Sequence, residues 1–364
     1  MRKSPWLHFD WGLLIIAVVL TVIGLAMISS ATRGAEDLAD TWRRQAIYGA
    51  IGVGLMFLVA SIDYRLLESL EWPIYILTVG VLGFTLLFGS SEIGAVRRFI
   101  YVGGTSIQPA FPALLLLIIS QASLLARNAP SPPRLTEFLI SLGLTGLASF
   151  LVFSQPNLST ATLYFATWAA MIYASRLHFG YLMGAGALAL GALPVVWANL
   201  DSYMQNRIQN FLDPTRDRSA YYNVEQALIS IGSGGLLGKG FATGTQSQLH
   251  FLRVRHTDFI FSVICEELGF VGAALILLIF ALLLWRMLRI AANAEDATGQ
   301  LIVVGVITFI FYQLLINLGM NLNVIPVAGL PMPFISSGGS ALVVTFLGLG
   351  LVESVAMRQH RLDL

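Results

Sequence analysis

Five polar clusters interrupt an otherwise apolar chain, and each suggests a chemistry. The first is Arg253-Val254-Arg255-His256-Thr257-Asp258-Phe259. An aspartate entering a helix can cap its first turn. Beside a histidine and two arginines, the same carboxylate could serve as a general base or hold a cation. Ionisable residues at a membrane span are functional candidates by default, so both readings of Asp258 stand. The second cluster is Glu266-Glu267, two turns further on. Adjacent helical residues point about 100° apart, so the two carboxylates cannot share a face, and at least one needs a partner, a proton or a polar cavity. From Asp258 to Glu266 is about 12 Å of helical rise, too far for the carboxylate pair of a retaining glycosidase. Glu266 and Glu267 are therefore either a structural pair or part of the chemistry.

The third cluster, Gly232-Ser233-Gly234-Gly235-Leu236-Leu237-Gly238-Lys239-Gly240, imitates a phosphate loop only superficially. Ser233 stands where the motif needs its first glycine, and Gly240 where it needs Ser or Thr, which excludes an ATP site. The glycines still permit left-handed turns, and amides beside Lys239 could hold a phosphate; a loop that merely needs tight turns is the alternative. Lys239 and Lys3 are the only lysines among 21 basic residues. The fourth cluster, Arg97-Arg98, could grip a headgroup phosphate or simply snorkel to the interface. The fifth runs from Asn321 to Ser340 through Pro326, Gly329, Pro331, Pro333 and Ser336-Ser337-Gly338-Gly339-Ser340. Irregular, uncharged backbone at a membrane edge survives where it lines a protein cavity.

The elements that position these clusters are set by composition. Of 364 residues, 56% are hydrophobic and 11% charged, which excludes an ordinary soluble enzyme. Mean hydropathy is +0.77. The apolar residues form blocks of about 17–25, the length that crosses a bilayer as helix and too long for barrel strands. They predict an all-α polytopic membrane protein with about ten spans, at 11–31, 45–61, 70–89, 109–126, 136–153, 160–175, 179–199, 259–285, 300–320 and 339–357. The first block is followed by Arg33, Glu36, Asp37 and Asp40 and is expected to be a retained span. The small-residue pair Gly180 and Gly184 in the seventh span predicts close helix packing. One cysteine, Cys265, excludes an intrachain disulfide and a cysteine metal site.

Orientation follows from basic residues in short loops. With the N-terminus inside, the inner set is Arg2, Lys3, Arg65, Arg127, Arg134, Arg176, Arg286, Arg289, Arg358 and Arg361, against Arg33, Arg43, Arg44, Arg97 and Arg98 outside. That bias places both termini in the cytoplasm and the outer loop, about 200–257, on the far face. The whole of 1–364 is expected to form one transmembrane domain, its outer loop turn-rich around a short amphipathic stretch, Val224 to Ile231.

Taken together, Gln226, Gly232–Gly240, His256-Thr-Asp-Phe-Ile-Phe261, Glu266-Glu-Leu-Gly269 and Pro331-Met-Pro-Phe-Ile-Ser-Ser-Gly-Gly339 resemble the SEDS family of shape, elongation, division and sporulation proteins. Leu252 followed by Arg255-His256 is more similar to the RodA elongation branch than to the FtsW division branch. The resemblance covers essentially the whole chain. It implies a peptidoglycan glycosyltransferase that polymerises lipid II at the outer face of the bacterial cytoplasmic membrane during elongation and shape maintenance. It further implies a class B penicillin-binding protein and other elongation-complex proteins as partners, and no nucleic acid. The family's essential aspartate falls on Asp258, the expected general base. The expected substrate contacts are Arg97, Arg98 and Lys239, as candidates for stabilising the leaving diphosphate, and Gln226, His256, Thr257 and Ser336, with Glu266 and Glu267 in support. A divalent cation, Mg or Mn, is a possible cofactor, and no organic cofactor is implied.

Three segments depart from the family pattern. Gln-Pro-Ser-Glu-Phe-x-Lys is here Gln108-Pro109-Ala110-Phe111-Pro112-Ala113-Leu114, losing an acid and a base together, which leaves no unpaired charge. Gln-Pro-Asp-Leu-Gly-Thr is Gln155-Pro156-Asn157-Leu158-Ser159-Thr160, and Leu-Pro-Glu before the aspartate motif is Leu252-Arg253-Val254. Ten spans with buried Glu266, Glu267 and Glu353 also suit a lipid II flippase or a proton-coupled carrier, and a non-catalytic scaffold for the transpeptidase is a third reading.

Overall fold

The computed structural model describes residues 5–90, 98–102, 105–129, 131–177, 179–249, 251–252 and 254–359. Ten helices correspond to the ten predicted spans: α1 (Trp11–Ala31), α2 (Thr41–Ser61), α3 (Glu71–Phe88), α4 (Ala110–Ala126), α5 (Leu135–Phe153), α6 (Leu158–Ala174), α7 (Phe179–Ala198), α11 (Ile260–Ala292), α12 (Ala297–Asn321) and α13 (Gly339–Ala356). Eight of the ten are long and apolar enough to cross a membrane on both counts. The other two, α4 and α6, have 17 residues each, about 25 Å of helix and the lower limit for a span. A short antiparallel hairpin, β1 (Ile100–Val102) and β2 (Thr105–Ile107), precedes α4.

Helices α4, α12 and α13 form the centre, with Leu114, Phe309, Ile310, Phe346 and Leu349 almost wholly buried. Helix α7 is peripheral. Gly180 and Gly184 face open space, so the expected close packing there is not formed among the described residues. The small residues that do admit a neighbour lie elsewhere. A Cβ on Gly24 of α1 would sit 2.7 Å from the backbone of Phe334 and Ile335, so only glycine lets the irregular 331–338 segment press against α1.

The loop at about 200–257 is more ordered than its turn-rich sequence predicts. It contains α8 (Ser202–Leu212), α9 (Arg218–Ser233) and α10 (Thr245–Gln248). Asp213 separates the first two by accepting from the Thr215 amide and hydroxyl at 3.1 and 2.6 Å, a side chain imitating a backbone turn. The amphipathic stretch at 224–231 forms the inner part of α9.

Helix α11 reads as continuous in hydropathy but breaks at Gly269, whose φ of +67° suits glycine alone. The break leaves backbone groups that a membrane interior cannot solvate. The Gly232–Gly240 loop satisfies them. Lys239 and Gly240 amides donate to the Glu266 and Glu267 carbonyls at 2.9 and 3.0 Å, and Phe270 and Val271 amides donate to the Gly235 and Leu236 carbonyls at 2.9 and 3.1 Å. Contact is so close that a Cβ on Gly238 would stand 2.2 Å from the Glu267 oxygen.

Candidate active site

Asp258 lies just before the first turn of α11. The cap position is Phe259 and no side chain caps the helix, so the capping reading of Asp258 fails. The Ser262 amide is instead taken by the Asn321 side-chain oxygen at 3.2 Å. Amide groups of Asn317 and Asn321 on α12 donate to the Asp258 carbonyl at 3.1 and 3.0 Å. Asn317 also donates to the Leu330 carbonyl at 2.9 Å, joining the aspartate turn to the irregular connector. With its backbone held on this side, Asp258 contributes to the wall of a cavity of about 640 Å³.

That cavity is lined by Arg98, Gln108 and Phe111 near the β2–α4 junction, by Arg207, Asn210 and Tyr221 from α8 and α9, and by Gly329, Pro331 and Ser337–Ala341 from the connector and the start of α13. A Cβ on Gly329 would lie 3.7 Å from Arg207 Nη2 and 3.8 Å from Asp258 Oδ2, so guanidinium and carboxylate face each other across this glycine. Burial pushes the Asp258 carboxyl above its ordinary range, while the charges of Arg207 and then Arg98 pull it back. A carboxylate placed between these opposing effects suits proton abstraction.

Thr257 and the connector form a second clamp. Ser336 donates its hydroxyl to the Thr257 carbonyl at 2.7 Å and accepts the Met332 amide at 2.8 Å. The Ser337 amide donates to the His256 carbonyl at 2.9 Å. Gln45, buried on α2, holds the far side by donating to the Ser336 carbonyl and accepting from the Gly338 amide, both at 3.1 Å. Burial and then the Arg255 charge lower the His256 pKa, favouring neutral imidazole. Arg255 turns away, donating to the Ala31 and Leu252 carbonyls.

Of the residues the sequence singled out, Asp258, Thr257 and Arg98 line the cavity. Arg97 lies outside the described residues. Gln226, His256 and Ser336 do not line it; the last two brace the aspartate turn from behind. Lys239 is a correction. Its ammonium ion-pairs with Glu266 at 2.8 Å and donates to Thr245 at 2.9 Å, and the neighbouring amides complete the broken helix, so the loop is not a phosphate cradle. Glu266 also accepts from the Gln246 and Ser247 amides, at 2.9 and 3.3 Å. Glu267 accepts from Ser30 at 2.6 Å and the Ala242 amide at 3.0 Å. Both carboxylates grip one loop from two faces, which makes them a structural pair.

The altered segment 108–114 gives the cavity an apolar wall. Phe111 stands where the family pattern has its acid, and Leu114, in place of the base, is buried in the core. Asn157, replacing the aspartate of the second pattern, caps α6 by accepting the Thr160 amide at 3.3 Å. Asp258 is the sole carboxylate lining the cavity among the described residues, where no cluster of three His, Cys, Asp or Glu groups could hold a metal ion. These residues do not make a dedicated metal site.

Arg207, Asn317 and Gln45 were not among the expected residues, and Asn321 was named only as the start of the fifth cluster. The three amides had a signal, since a primary amide inside an apolar span requires a buried partner. Arg207 had none, because only folding of α8 brings it to Asp258.

A profile of the FtsW/RodA/SpoVE family, described as cell cycle protein, matches residues 10–361. The chain belongs to that family. Among its relatives is the peptidoglycan glycosyltransferase MrdB of Escherichia coli K12, 36% identical over 100% of this chain and 98% of its own. Stage V sporulation protein E of Bacillus subtilis is 32% identical over 98% of each. Among solved structures, one chain of a peptidoglycan synthase complex that coordinates polymerisation and crosslinking superposes with a TM-score of 0.82 at 31% identity, covering 96% of this chain and 98% of that one. The rod shape determining protein RodA of Thermus thermophilus gives 0.73 at 28% identity over 98% and 100%. Within the family, this chain is similar to the RodA-type members.

Proposed function

We propose that this FtsW/RodA/SpoVE member is a peptidoglycan glycosyltransferase that joins lipid II units into glycan strands. The observation that carries the reading is a single half-buried carboxylate, Asp258, facing two arginines in a membrane-edge cavity of a chain 36% identical to MrdB along its length. Asp258 takes the proton from the 4-hydroxyl of the acceptor sugar as that oxygen attacks the anomeric carbon of the lipid-linked donor. The bond from that carbon to the diphosphate breaks, and polyprenyl diphosphate leaves with the electron pair. Attack opposite an α-linked diphosphate inverts the centre and needs one base rather than a carboxylate pair. Arg98 and Arg207 stabilise the charge growing on the leaving diphosphate.

A cavity on the outer face of the cytoplasmic membrane, with both termini inside, completes the reading and is supported by the bias of basic residues. The partner is a class B penicillin-binding protein, a proposal supported by the likeness to a chain of a synthase complex. The test is gel detection of polymer from purified lipid II, with and without the cognate transpeptidase, beside a vesicle assay of labelled lipid II movement. Polymer lost in Asp258→Ala supports the reading. Lipid translocation without polymer would replace it with transport, and inactivity in both would leave a scaffold.

A further inference from the structure

At the end of the bundle opposite Asp258, a second cavity of about 570 Å³ opens between the start of α1 and the last turns of α11, and no step of the proposed reaction uses it. From the break at Gly269 to Trp285 is about 24 Å of unbroken helix, with the turns from Ile260 to Leu268 before it, so the two cavities lie at opposite ends of α11. Its charged lining is Asp10, Arg286 and Arg289, an excess of one cation, with His8 at the mouth. Arg286 is fixed in place: its Nη2 and Nε donate to Asp10 at 2.6 and 3.3 Å, and the Asp10 amide is held by buried Glu353 at 3.0 Å. Gly12 gives the guanidinium its room, since a Cβ there would stand 2.5 Å from Arg286 Cζ. This fork uses one edge of Arg286, and Nη1 donates to no described residue. Arg289 lies over the Trp285 ring, 4.7 Å from its centroid, and forms no ion pair among the described residues.

We propose that this cavity binds the phosphodiester headgroup of an anionic glycerophospholipid. Arg286 presents its unused edge and Arg289 its guanidinium to the phosphate oxygens, a geometry that favours arginine over lysine. A lipid rather than a free phosphate is favoured by what surrounds the mouth. Trp6, Trp11 and Trp285 are exposed there, as tryptophans are at the headgroup level. Leu278 and Leu282 continue the exposed face of α11 toward the bilayer centre, where acyl chains would lie.

Native mass spectrometry of the full-length protein in detergent tests this, titrated with dioleoyl-phosphatidylglycerol, dioleoyl-phosphatidylcholine or inorganic phosphate. One phosphatidylglycerol should be retained above the phosphatidylcholine level, and millimolar phosphate should not displace it. Arg289→Glu, at an exposed position, should weaken that retention about tenfold, the equivalent of one charge-assisted contact. His8→Glu should act in the same direction, and Arg176→Glu, away from the cavity, should not. Equal retention of the two lipids, unchanged retention in Arg289→Glu, or phosphate binding that blocks the lipid would each overturn the proposal.

Discussion

Lys239→Ala separates two roles that the sequence left open for this lysine. In the structure its ammonium meets Glu266, which is fully buried, while Lys239 itself is 28% exposed. Removing one partner of a buried pair costs about 3–5 kcal/mol. Three donors to Glu266 remain, from Thr245, Gln246 and Ser247, and the lysine is partly hydrated. The expected loss is therefore about half, roughly 2 kcal/mol. At about 2–4 °C per kcal/mol, thermal unfolding in detergent should fall by about 4–8 °C. Glu266→Gln removes the uncompensated charge, so adding it to Lys239→Ala should recover most of that loss, giving a double-mutant coupling of at least about 1 kcal/mol. Polymerisation by the folded fraction should follow stability and return in the double variant. An unchanged melting temperature in Lys239→Ala would refute the latch. A double variant that melts normally but forms no glycan would return Lys239 to the substrate.

Three further perturbations address the scaffold and the charge around Asp258. Asn321→Ala removes one of two amides on the Asp258 carbonyl and the acceptor for Ser262; steady-state kinetics should show kcat down about 10- to 100-fold with KM little changed, the signature of a misplaced base. Arg207→Ala removes the larger of the two charges that lower the Asp258 pKa, so that pKa rises. Because the deprotonated form is the base, the acidic limb of the pH–rate profile should move to higher pH; a shift to lower pH would contradict the geometry. Gly238→Ala combines a left-handed φ of +77° with a backbone clash, and should cost about 2–5 kcal/mol in denaturation measurements.

Ten spans were legible because hydrocarbon thickness leaves a length signature in the apolar blocks. Asp258 was legible as a lone acid at a span boundary, and the 321–340 connector as irregular backbone in need of a cavity. Other features depend on contacts between distant segments. The glycine loop resembles an anion cradle by composition, yet its amides are consumed by a helix break about thirty residues later, which hydropathy does not register. Helix α8 was hidden by its polar composition, SYMQNRIQNFL. With α8 hidden, so was Arg207. The α7 glycines show the converse: a small-residue pattern signals close packing only if a neighbour arrives, and none of the described residues does.

The central claim is that Asp258 accepts the proton of the attacking hydroxyl, and Asp258→Asn tests it most directly by keeping size while abolishing basicity. Measured on purified lipid II with folding verified by melting temperature, glycan formation should fall by about 10²- to 10⁴-fold. Polymer formed at the parent rate by a well-folded Asp258→Asn protein would contradict the account.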